Sequence, residues 1–83
     1  MQALIIADDL TGALDSAVAL AAAGLRVRVA RRPEDVRAAL AEGPEALAVS
    51  TASREGTAEA ARAAVDLVFD ALGDLRPEIL FKK

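Results

Sequence analysis

Five apolar residues in a row, Ala3–Ala7, stop at two adjacent carboxylates, Asp8 and Asp9. A run so short, and apolar at both parities, predicts a strand over Gln2–Ala7 that is buried on both faces. The period then changes. Leu14, Ala17, Val18 and Ala21 recur at helical spacing, with Thr11 placed to cap that helix and Gly24 to stop it. Leu25–Ala30 alternates again, Val27 and Val29 against Arg26 and Arg28, which predicts an edge strand with one wet side. Pro33 opens a short helix with Glu34 and Asp35 in its first turn. Val36 and Leu40 mark its inner side, and Gly43-Pro44 ends it. Ala46–Ser50 predicts a third strand, followed by the polar loop 51–56. Thr57 is suited to cap a long helix reaching Leu72, with Ala61, Val65, Val68 or Phe69, and Leu72 as its inward stripe. Gly73 and Pro77 close that helix, and Glu78–Phe81 begins a fourth strand.

Strands alternating with helices over short connections predict an α/β fold, a parallel sheet with helices on both faces. The expected order is the flavodoxin-like 2-1-3-4. A last strand with nothing after it leaves a bare edge. Residues 1–83 are therefore read as one unit, the opening part of a larger N-terminal domain. Composition agrees. At 54% hydrophobic and a mean hydropathy of +0.31, the chain is too apolar for a disordered segment. Yet alanine supplies much of that content, and Phe69 and Phe81 are the only aromatic residues. A core of small side chains needs a large packed area, and a chain this short buries only about 60–65% of its unfolded surface.

Charge and residue types remove several functions. The net charge of −3 is dispersed, with no basic stripe, so a nucleic-acid partner is not expected. With no Cys and no His, there is no disulfide, thiol nucleophile, zinc-thiolate site or imidazole base within the chain. No stretch approaches the roughly 20 apolar residues that span a bilayer, so no membrane partner is expected either. The apolar start lacks a basic leader, and a cytoplasmic location is the expectation.

In a doubly wound sheet, ligands bind beyond the carboxyl ends of the strands, where the order reverses. Here that places the site between the first and third strands. Asp8 and Asp9 end the first strand, Ser50 and Thr51 the third with Ser53 and Arg54 following, and Lys82 and Lys83 the fourth. Carboxylates accept hydrogen bonds from hydroxyls, hold Mg²⁺ or act as bases. Arg54 offers a fork for a carboxylate or phosphate, and Lys82 a point charge. Acids for hydroxyls and cations for a carboxylate suit a small hydroxylated acid. The candidate site residues are thus Asp8, Asp9, Arg54 and Lys82, with no metal site expected within the chain. Each also has a plain structural use: either Asp can cap the first helix, Arg54 can be solvated, and Lys83 suits a solubilising end. Neither a Gly-x-Gly-x-x-Gly nor a P-loop follows any strand, so a nucleotide is not gripped by a standard motif.

IADDLTGALD, the Gly24-Leu25 pair, Ser53-Arg54 and Phe81-Lys82-Lys83 together resemble the start of the four-carbon acid sugar kinases. The resemblance covers essentially the whole chain. It implies the sugar-acid-binding part of an ATP-dependent kinase that phosphorylates threonate, erythronate or an oxo-tetronate at the terminal hydroxyl, with ATP and Mg²⁺. It matches Asp8 and Asp9 to substrate-binding acids, Arg54 to the Ser-Arg cation and Lys82 to the lysine after the fourth strand. Most of the nucleotide site would lie in a C-terminal domain absent from this chain, so the 83 residues alone are expected to be inactive. A homo-oligomer is left open. Two other readings stand beside it. One is a non-catalytic α/β fragment. The other is a receiver-like signalling domain, which needs a phosphoacceptor Asp where Ser50-Thr51 stand.

Overall fold

The computed structural model describes residues 1–83. Strands β1 (Ala3–Ala7), β2 (Val27–Ala30), β3 (Ala46–Ser50) and β4 (Ile79–Lys82) alternate with helices α1 (Leu10–Ala22), α2 (Val36–Leu40) and α3 (Ala58–Leu72). A single 3-10 turn, Pro33–Asp35, leads into α2. All strand pairs are parallel. The α/β class and the placement of helices on both faces are as the hydrophobic pattern predicts.

The strand order is β2-β3-β1-β4, so β2 lies beside β3 and not beside β1 as the order 2-1-3-4 has it. The reason the pattern misleads is physical. Both orders put β1 and β3 in the middle, where every residue is buried, and both put β2 and β4 at the edges. Burial therefore cannot tell which central strand β2 joins. Hydrogen bonds at the start of β3 decide it. The Glu45 and Ala46 N–H groups both donate to the Arg26 carbonyl, at 2.9 and 3.1 Å. The Arg26 N–H donates in turn to Glu45 Oε1 at 2.9 Å. The short link through α2 drops the chain next to β2, whereas the longer α1 and α3 each carry it across a strand.

Strand alternation divides the core in two. Leu4, Ile6, Leu47 and Val49 meet Val36, Ala39, Val68 and Leu72 on the α2/α3 face. Ile5, Ala7 and Ala48 meet Ala13 and Ala17 on the α1 face. There, alanine faces alanine, which lets α1 sit close. Its larger Leu14 and Val18, expected inward from their spacing, lie outside at 46% and 69% exposure. On α3 the spacing left Val68 and Phe69 as alternatives; Val68 is the buried one. β4 is exposed along its length. No helix is long and apolar enough to cross a membrane.

Candidate functional site at the carboxyl edge

β1 and β3 are neighbours, and the chain leaves β1 toward α1 on one face and β3 toward α3 on the other. That is the reversal beyond which α/β sheets hold ligands. It survives the changed strand order, because β1 and β3 adjoin in both arrangements.

The loop after β3 keeps hydrogen bonding to the end of β1. Thr51 N–H donates to the Ala7 carbonyl at 2.9 Å, and the N–H groups of Ser53 and Arg54 both donate to the Asp8 carbonyl, at 2.9 and 3.2 Å. Thr51 Oγ1 donates to the Ala7 carbonyl at 3.2 Å and lies 2.7 Å from Ser53 Oγ. The fold-back turns Ala52 into the left-handed region, φ 54°. Its N–H then donates to Ser50 Oγ at 3.3 Å. The result carries Arg54, 45 residues distant in sequence, to Asp9.

Asp9 caps α1, the plain structural use open to either Asp, while Thr11, the other candidate cap, lies within the first turn. The Gly12 N–H donates to Asp9 Oδ1 at 2.7 Å, while Arg54 Nη1 donates to Oδ2. A side chain here would crowd the cap: a Cβ at position 12 would lie 3.0 Å from Asp9 Oδ1 and 3.4 Å from the Ala7 Cβ. The Gly12 N–H bond chiefly, with Arg54 adding to it, holds the Asp9 carboxyl below its ordinary pKa against an opposing effect of desolvation.

Asp8 and Asp9 do not share a pocket. Side chains alternate along extended backbone, and Asp9 is itself extended (φ −144°, ψ 167°), so consecutive acids point to opposite faces. Asp8 follows Leu4 and Ile6 onto the α3 face. Lys82 reaches the same face, because it is in register with Ile6. Asp8, Thr51, Ser53, Arg62, Lys82 and Lys83 line a cleft of about 340 Å³ there. A second cleft, of about 600 Å³, opens beside β2, lined by Asp9, Leu10, Arg31, Arg32, Asp35, Ser50 and Ala52.

The four candidate residues thus fall into two pairs, Asp9 with Arg54 and Asp8 with Lys82. Arg62, Lys83, Arg31, Arg32 and Asp35 were not singled out from the sequence as ligand contacts. A signal for Arg31 and Arg32 existed, since they follow β2 and all four parallel strands end at one edge. For Arg62, one turn into α3, the sequence offers no comparable sign.

No three acids or other metal-ligating side chains converge, and no glycine-rich phosphate loop follows a strand. Compared with known families, residues 3–83 match one described as a sugar-binding N-terminal domain. No curated protein and no solved structure matches the chain.

Proposed function

The chain belongs to the family of sugar-binding N-terminal domains, and from that premise we propose that the Asp8 cleft binds a four-carbon sugar acid as the phosphoryl acceptor of an ATP-dependent kinase. The observation that carries the reading is the partnering within that cleft. The Asp8 carboxylate makes no hydrogen bond or ion pair within the chain, and neither do the charged groups of Lys82, Lys83 and Arg62. An uncommitted acceptor beside uncommitted cations is complementary to hydroxyls at one end of a ligand and a carboxylate at the other.

In this reading Asp8 accepts hydrogen bonds from the hydroxyls. Lys82 leads the cationic side, with Arg62 and Lys83 adding charge. Arg54 holds Asp9 and does not line this cleft, so its part is to fix the loop that carries Thr51 and Ser53 into it. Asp9 acts by orientation, fixing Arg54 and the start of α1. Phosphoryl transfer would draw on a nucleotide-binding domain outside these 83 residues, so this chain is assigned the acceptor half alone.

The test is calorimetric titration of the chain with threonate, erythronate and their oxo forms. One tetronate should bind, and Asp8→Asn should weaken it at least about tenfold, the factor expected for one hydrogen bond to a charged group. Lys82→Ala should do the same. Binding that survives both substitutions would remove this cleft as the acceptor site. The receiver-like alternative gains nothing, since the residue at its phosphoacceptor position is Ser50, buried at 1% exposure.

A further inference from the structure

We infer that the cleft beside β2 is a second and separate binding site, for an oxyanion held by Arg31 and Ser50. Its chemistry follows from which lining groups are already engaged. Asp9 bonds the Gly12 N–H and Arg54, and Asp35 Oδ2 is ion-paired with Arg32 Nε at 3.6 Å without accepting a hydrogen bond. Arg31 has no ion pair and no side-chain hydrogen bond in the chain.

Ser50 supplies the second half of the argument. It is 1% exposed, yet it lines the cleft. Its Oγ accepts the Ala52 N–H at 3.3 Å, and its own O–H proton has no acceptor within the chain. Ala52, at φ 54°, turns its N–H back onto that oxygen, so the hydroxyl is left to act as a donor.

The cleft therefore presents uncommitted donors: a guanidinium, the remaining N–H groups of Arg32 and a buried hydroxyl. With Asp9 neutralised by Arg54 and Asp35 by Arg32, the cleft carries one surplus positive charge. A carboxylate or a phosphate group, which accepts at each oxygen and brings negative charge, is complementary. The Asp8 cleft differs, because its carboxylate has no cation paired with it. The Asp9–Arg54 pair stands between the two, one partner lining this cleft and the other arising from the loop that lines the Asp8 cleft. The inference does not need the tetronate reading.

The experiment is a titration of the isotope-labelled 83-residue chain with acetate and, separately, inorganic phosphate, followed by amide chemical shifts. Saturable shifts are expected at Arg31, Arg32, Ser50 and Ala52. Tighter acetate binding would assign the site to carboxylate ligands, tighter phosphate binding to phosphate-bearing ones. Arg31→Ala should weaken the preferred anion about tenfold. Arg31→Lys should restore part of the loss, because the charge returns without the fork. Ser50→Ala should weaken binding severalfold. Asp8→Asn should leave these shifts unchanged while weakening tetronate binding, which separates this site from the proposed acceptor site. Identical midpoints in Arg31→Ala and the parent chain would overturn the inference. So would shifts confined to Arg62, Lys82 and Lys83.

Discussion

Asp9 has a bond on each of its oxygens before any ligand arrives. Its exposed ion pair with Arg54 adds little to stability, since solvent and side-chain entropy offset most of such an attraction. What the pair fixes is position. A lowered native pKa means that Asp9 stabilises the fold fully above its unfolded pKa and loses that contribution as pH falls through the native value. Melting temperature should accordingly fall in acid below about pH 4, near the ordinary Asp value. Asp9→Asn, which can still cap α1, should flatten that acid limb by lowering the melting temperature modestly at neutral pH, where the ionised Asp9 contributes, and changing it little in acid. A pH series of thermal melts on both chains checks this. An acid limb of unchanged steepness in Asp9→Asn would assign it to other carboxylates.

Among the elements, α3 shows how a cap and a stripe combine. Thr57 Oγ1 accepts the Ala60 N–H at 3.0 Å, and Val68 and Leu72 bury one side against the sheet. Gly73 ends the helix at φ 60°, a conformation that a side chain would strain. All three features were legible along the chain. Thr57→Ala should cost about 1 kcal/mol in urea unfolding. The helix α1 was less legible. Its spacing suggested Leu14, Ala17, Val18 and Ala21 as one face, and of these Ala17 is buried; the sheet beneath offers Ala7 and Ala48, and Ala13 joins Ala17 against them while Leu14 and Val18 stay outside. Propensity and period locate a helix; which of two overlapping stripes turns inward depends on the surface it meets.

At the scale of the whole molecule, stability rests on two thin layers around β1 and β3, one mainly of Leu, Ile and Val and the other mainly of Ala. Leu47, fully buried in the central β3, is among the largest side chains in either layer. Leu47→Ala should lose about 2–5 kcal/mol, from lost burial plus the cavity left behind. A domain of this size has on the order of 4–12 kcal/mol in all. Denaturant unfolding should therefore show a large fall in midpoint, and a loss below 1 kcal/mol would mean that the α2/α3 face repacks freely.

The sequence by itself determined the α/β class, the four strands and three main helices within a residue or two, the central places of β1 and β3, and the edge where Asp8, Asp9, Arg54 and Lys82 gather. Each of these follows from local periodicity, which one stretch of chain carries alone. The division of Asp8 from Asp9 was also implicit there, because extended backbone sends neighbours to opposite faces. Tertiary structure alone decided that β2 joins β3, that Arg54 reaches Asp9, and that Arg62 and Arg31 line different clefts. Those facts rest on contacts between residues far apart in sequence. No local pattern records them, because burial is the same whichever partner supplies it.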